Sequence, residues 1–528
     1  MTGGGVVPAS AARRRRWSLA VLIGMGLLLS SGIVVDLLEA PPSAPATESI
    51  VQDLADAGRW YCPATVGRRE TAVLEVATVG DRAAEVTVDR YAGGTARTNR
   101  ARTMPPGAVA RIKLGGNRPS VVRWEGGPVA VTWRSTDRTE TIAAPCEPAP
   151  GRRWHAAGFD TTLGSTSTLH LFNPFGEDAT VSLIFATPDG PVRLVATDNL
   201  VVPAGTSRQL DLGRFQPEIA DLGVTAEVAS GRIVAQGEVD IGPPGKSRGV
   251  SGRALLRAAG QARRSWTFAW ACSGESSESW LQVLNAGGRE AAVEVRVSDP
   301  VNDASSVLGE VSVPAGGTTR IELAEASRRR EFGVTVTGVN DEAIVVSRLT
   351  AIARAGGRDG IAASLGAVGP ATEWAVVGGG GPDQRDMLSI YNAGSRQARV
   401  DVVAGAGPPE WSGITVEPNA RAEVMLRDAG AAQLTTPLRI HADRPVVTEL
   451  RSAAKGDELH LWSAVGVPAA SWRGQRTRPP VHLEPGLASR DPASLRAETT
   501  EGDGAPVPPG VAPPTDPGGS AHGDVRTS

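Results

Sequence analysis

The sequence predicts an all-β chain: four tandem immunoglobulin-like antiparallel β-sandwich modules after one N-terminal transmembrane helix, with a disordered C-terminal tail. Three observations predict it. A strand–turn–strand phrase recurs four times in fixed register. A tryptophan opens each copy at a near-constant distance before the turn. No segment between Trp60 and Trp472 shows a long helical period.

The phrase is clearest at Leu281-Gln-Val-Leu-Asn-Ala-Gly-Gly-Arg-Glu-Ala-Ala-Val-Glu-Val295. Leu281 and Val283 alternate with their neighbours, Asn285-Ala-Gly-Gly is turn chemistry, and Val293-Glu294-Val295 resumes the period of two. Leu74 and Val76 lead to Thr78, Leu169 and Leu171 to Asn173, and Leu388 and Ile390 to Asn392. In each copy the next strand's first Val follows the turn residue by eight positions. Constant spacing fixes register, because a slip of one residue turns the apolar face outward. Trp60, Trp154, Trp266 and Trp374 precede the turn residues by 18 or 19 positions. Their separations, 94 to 112 residues, suit one sandwich-sized module per copy. A propeller is the rival, but its blades hold about four strands in roughly 40 to 50 residues. Trp472 resembles the opening tryptophan of a fifth copy that is not built.

Taken in order, residues 1–16 are a basic cytoplasmic segment ending in Arg13-Arg-Arg-Arg16. An uncharged run from Trp17 to Val35 follows, 19 residues long, enough to cross a hydrocarbon core as a helix. We place a signal anchor at 17–38, with the arginines holding its start inside. A cleaved signal peptide ending at Ala44-Pro45-Ala46 is the alternative. A linker spans 39–48, and the modules span 49–146, 147–262, 263–370 and 371–472. From 473 to 528 the chain is rich in Pro, Gly and charge with no apolar period.

Chemistry is sparse. Net charge is −3, so nothing global favours nucleic acid. The six histidines form no HExxH pattern, and GxSxG, Walker A and EF-hand patterns are absent. Gly249-Val-Ser-Gly252 lacks the second flank of a nucleophile elbow, and Gly378 to Gly381 suits a hairpin loop better than a phosphate cradle. Asp299-Pro-Val-Asn-Asp303 has oxygen ligands for calcium, but polar turn composition explains it more simply. Glu294 and Asp401 share a repeat position opposite the apolar face and suit solvent-facing strand residues. No catalytic, cofactor-binding or metal residue is assigned. Of three cysteines, Cys62 and Cys146 bracket the first module, and a bond between them would staple it. Cys272 is then reduced; a Cys62–Cys272 bond between modules is the alternative. Twelve tryptophans stand against three tyrosines. The opening four suit core positions, whereas Trp280, Trp411 and Trp462 lie elsewhere and are the candidates for stacking on a glycan.

These features together resemble an actinobacterial membrane-anchored family, domain of unknown function 5719. They are the N-terminal anchor, Trp60-Tyr-Cys-Pro63, Cys146 before Trp154, the Leu-Phe-Asn-Pro174 turn and the Val-Pro-Ala-Gly205 type of turn. The resemblance implies an envelope-associated chain with no assigned activity and no catalytic residues to carry over. Thr78, where the others have Asn, and Cys272 depart from the pattern. The function expected is a non-enzymatic, single-pass membrane protein with extracytoplasmic modules and a structural or interaction role. Its partners would be the membrane and other envelope proteins. The alternative is a glycan-binding accessory protein in cell-wall assembly.

Overall fold

The computed structural model describes residues 56–472, apart from 64–70, 116–117, 137–139, 243–250, 275, 299–305, 324–330, 355–357, 380–383, 427–436 and 455–460. The anchor at 17–38, the tail, the 299–303 turn, His460, His482 and His522 lie outside the described residues. Among the described residues no helix is long and apolar enough to cross a membrane.

The chain is all-β, and every strand pairing is antiparallel. Module 1 contains β1 (Asp56–Cys62), β2 (Thr71–Thr78), β3 (Ala84–Ala92), β4 (Thr95–Thr98), β5 (Arg102–Met104), β6 (Val109–Leu114), β7 (Ser120–Gly126), β8 (Val129–Thr136) and β9 (Thr141–Pro145). One sheet runs β1-β7-β3-β4, with β5 also on β3, and the other runs β6-β2-β8-β9. Module 2 repeats this with β10 (Arg153–Phe159), β11 (Ser165–Asn173), β12 (Ala179–Thr187), β13 (Gly190–Arg193), β14 (Leu200–Val202), β15 (Thr206–Asp211), β16 (Leu222–Ser230), β17 (Val234–Ile241) and β18 (Gly252–Arg257). Its sheets are β10-β16-β12-β13, with β14 on β12, and β15-β11-β17-β18.

Module 3 contains β19 (Ser265–Gly274), β20 (Ser277–Asn285), β21 (Ala291–Val297), β22 (Ser306–Val313), β23 (Thr318–Glu322), β24 (Glu331–Gly338), β25 (Ile344–Arg354) and β26 (Arg358–Leu365). The same two orders recur and are joined where β19 pairs with β20. Module 4 contains β27 (Ala371–Val376), β28 (Gln384–Asn392), β29 (Ala398–Ala404), β30 (Trp411–Val416), β31 (Ala420–Met425), β32 (Leu438–Ala454), β33 (Leu461–Val465) and β34 (Val467–Pro468). Here the long β32 serves both sheets, and β34 adds to β27. Each module thus has eight or nine strands among the described residues, against roughly seven in an immunoglobulin constant-type sandwich. The outer edge strand is broken in two in modules 1 and 2, and a further strand lies on the inner edge of each second sheet.

The alternation seen in the sequence is the packing alternation. Val293, Val295 and Val297 are fully buried while Glu294 and Arg296 point away. Within module 1, Leu74 and Val76 of one sheet share a core with Val86, Val88 and Val122 of the other. Each opening tryptophan is a buried tie across that core. Its indole Nε1 donates to Val129 O (2.8 Å), Ile233 O (2.9 Å), Ile344 O (2.7 Å) or Val446 O (2.9 Å). The turn asparagine ties three backbone segments: Asn173 Nδ2 donates to Glu177 O (2.7 Å) and Val202 O (3.0 Å), and its Oδ1 accepts from Phe175 N (3.0 Å). Asn285 and Asn392 repeat the set. Thr78 substitutes by donating to Pro105 O (2.6 Å) and accepting from Ala108 N (3.0 Å).

The four modules close into a propeller-like ring. Its innermost strands are β9, β18, β26 and β33. Glu140, just before β9, accepts from Arg253 N on β18 at 2.6 Å. Ile361 and Ala363 of β26 share a core with Leu256 of β18. A side chain on Gly360 of β26 would meet Leu461 of β33 at 3.0 Å. Ala143 of β9 joins the module 4 core beside Trp462, which completes the circuit. The outer parts interlock too. Gly223 of module 2 receives Leu284 of module 3, and Gly333 of module 3 receives the ring of Tyr391 of module 4; a Cβ on either glycine would lie 2.7 or 2.6 Å from its occupant. The repeat is about twice as long as a usual propeller blade because each blade has two sheets. Trp472 does not lie on a strand as the other four opening tryptophans do: Ala469–Trp472 is a single helical turn, and Val467 and Ala469 pack on the core of module 1.

Candidate functional site

The densest buried chemistry lies at the seam between modules 3 and 4. Arg348 on β25 and Glu449 on β32 form an ion pair of 2.7 Å with both side chains 0% exposed. Such a pair is costly unless most of its remaining valences are filled, and here Arg348 Nε is the one polar atom of the pair buried without a partner. Arg348 Nη1 donates to Glu449 Oε2 (2.9 Å) and to the Trp270 carbonyl, and Nη2 donates to Ser463 Oγ (2.7 Å). Glu449 also accepts from Ser364 Oγ (2.8 Å) and from the backbone N of Trp270 (3.2 Å). The Trp270 ring has the guanidinium of Arg348 at 4.7 Å and that of Arg451 at 4.9 Å, within cation–π range.

Beside it lies a second charge cluster. Glu331 on β24 accepts from Arg451 and from Arg421 (3.1 Å), both of module 4. Burial works to raise the Glu331 pKa, but the hydrogen bonds and charge of Arg451 outweigh it and hold it at about 2. Glu423, also desolvated and sharing a hydrogen bond with Glu331, is pushed up. An open cleft of about 400 Å³ adjoins the cluster, lined by Trp270, Cys272, Ser277, Glu331, Ile352 and Arg451.

Cys272 is reduced and buried, 3.7 Å from Ser279 Oγ, and burial pushes its thiol pKa up. A protonated thiol with a serine neighbour is a poor nucleophile. Cys62 and Cys146 are bonded, with Sγ atoms 2.04 Å apart. The described histidines lie apart. His155 contacts Thr225 Oγ1 (2.8 Å), and desolvation lowers its pKa to about 4. His170 is 3.5 Å from Glu238, and His441 is 3.6 Å from Glu373. Ser251 precedes β18, and among the described residues no group of three His, Cys, Asp or Glu side chains is placed to hold a metal.

The proposed glycan platforms need correction. Trp280 (0% exposed) and Trp462 (3% exposed) are core residues between modules and offer no ring face to a sugar. Trp280 sits on the sheet face turned away from its own core, which module 2 covers, whereas Trp462 shares the core face of Leu450 and Leu388 and belongs to the module 4 core, which Ala143 of module 1 joins. Trp411, half-buried on β30, is the remaining one. Sequence reasoning missed the Arg348–Glu449 pair. Arg348 occupies the register position of Trp133, Gly237 and Leu450, opposite the buried leucines Leu281, Leu74, Leu169 and Leu388. A cation at an otherwise uncharged core position was the available signal.

Residues 126–408, more than half of the chain, match a family of unknown function, DUF5719. The chain belongs to the DUF5719 family. No curated protein matches it. The DUF5719 match begins at the end of β7 and ends after β29, so it spans two whole modules and parts of the other two.

Proposed function

We propose that this DUF5719 chain is a non-enzymatic, membrane-anchored protein of the bacterial cell envelope, with its modules outside the cytoplasm and a structural or interaction role. The observation that carries the reading is the Cys62–Cys146 bond, buried in module 1 across 84 positions of sequence. Such bonds persist in oxidising compartments and are rare in the cytosol. The Arg13–Arg16 run and the apolar stretch after it supply the anchor, oriented with the arginines inside. We take each blade as a two-sheet sandwich with its terminal strands exchanged relative to the immunoglobulin order: β1 lies beside β7, and β8 beside β2. The seams are filled by interlocking side chains, which suits a rigid scaffold that presents its rims. The glycan-binding alternative retains only Trp411.

The test is a full-length fusion, in a bacterial host, to a C-terminal reporter active only after export. Activity, together with a Cys62–Cys146 peptide on mapping without reduction, is expected. A reporter active only in the cytoplasm refutes the topology. A mature N-terminus at Thr47 replaces the anchor by a cleaved signal peptide.

A further inference from the structure

The four modules serve as controls for one another. Along the outer edge of its first sheet, module 1 carries Arg97 on β4, Arg102 on β5 and Arg100 between them, all exposed. The matching edge of module 2 has Arg193 and Asp198; that of module 3 has Glu310 and no cation; β30 of module 4 has no charge. From Arg90 to Arg123 the sequence has eight basic residues and no acidic one. Arg90 and Arg97 stand directly opposite across the β3–β4 ladder, where like charges destabilise. Arg90 Nε is buried without a hydrogen-bond partner, and no carboxylate among the described residues pairs with Arg90, Arg97, Arg100 or Arg102. Charge does blunt an exposed strand edge against aggregation. That need is common to all four blades, and the other three meet it without an arginine row.

We propose that this arginine edge of module 1 docks on an anionic phospholipid surface. Guanidinium groups match phosphate oxygens in planar, paired hydrogen bonds, and a cluster of basic residues beside a bilayer is drawn to its anionic headgroups. The placement rests on the anchor proposed above. Residues 39–55 join that anchor to β1, and 17 residues reach at most about 60 Å, so module 1 is the blade tethered closest to the bilayer.

The full chain is reconstituted in nanodiscs of neutral phosphatidylcholine, with or without phosphatidylglycerol, and amide exchange across 95–104 is followed. Slower exchange in the anionic discs is expected. It is reversed by roughly 0.5 M salt, lost in R97Q/R100Q/R102Q and retained in R385Q/R396Q/R399Q, which removes three exposed arginines of module 4. Equal exchange in both lipids overturns the proposal. Failure of the chain to enter discs speaks against the anchor instead, and the same chain is then added to preformed phosphatidylglycerol vesicles. There the first triple variant should bind roughly a hundredfold more weakly, about fivefold per arginine; unchanged binding overturns the proposal. Protection of the edge by inorganic polyphosphate in neutral discs, without protection by anionic lipid, likewise overturns it and assigns the edge to a soluble polyanion.

Discussion

Removing Arg348 and Glu449 together should destabilise the protein by much less than the sum of removing each alone. In Arg348→Met the Glu449 carboxylate keeps only Ser364 Oγ and the Trp270 backbone N as donors. An ionised carboxylate left so in a fully buried seam costs about 3–5 kcal/mol. Glu449→Leu strands the guanidinium in the same way, with Ser463, the Trp270 carbonyl and the Trp270 ring as its remaining contacts. The ring recovers about 1–2 kcal/mol of the loss, so this variant should be the milder single. In the double variant both charges are gone, and the residual cost is about 1–3 kcal/mol for each of the Ser364 and Ser463 hydroxyls and the Trp270 backbone groups that finds no new partner. The assay is urea denaturation of the full chain and the three variants, followed by tryptophan fluorescence. A double variant as unstable as the sum of the singles would show that the two charges do not depend on each other, and the seam would then be held by apolar contact alone.

Three further outcomes follow from the geometry. Val295→Asp places an unpaired charge at a fully buried position and should cost several kcal/mol, whereas Glu294→Ala, which loses only a surface ion pair with Arg296, should change urea stability by less than about 1 kcal/mol. Asn392→Ala removes both donations and the accepted bond of the turn and should lose about 2–3 kcal/mol in the same assay, while Thr78→Ala, with fewer bonds, should lose less. His155 has a folded pKa of about 4, below its ordinary value, so the unfolded chain binds more protons in between; stability should fall as pH drops from about 6.5 towards about 4, and His155→Gln should flatten that slope.

Much of the blade was legible in the sequence because one physical rule writes it. A half-buried strand must alternate, so Leu388, Ile390, Val400 and Val402 announced their face, and Asn392 announced the turn. The face opposite was legible only as polar. Glu75, His170, Gln282 and Ser389 occupy one register position there, three residues before the turn, and all four are buried. Alternation says that such a position avoids its own core; it does not say whether water or a neighbouring blade covers it. That gap hides the closure into a propeller, the burial of Trp280 and the partner of Glu449; Trp462 is buried instead on the core face of β33, in a core that Ala143 of module 1 joins. It is a matter of contacts between segments roughly a hundred residues apart, which no local period encodes.

A closed circuit has no terminal blade. A linear array of repeats needs polar caps at both ends, and fraying starts there. In this chain module 4 closes onto module 1 through Ala143, Val467 and Ala469, so every blade has two neighbours. One proteolytic cut between two modules would therefore release nothing: the fragments would stay assembled through the remaining seams, and the nick would show only under denaturing conditions.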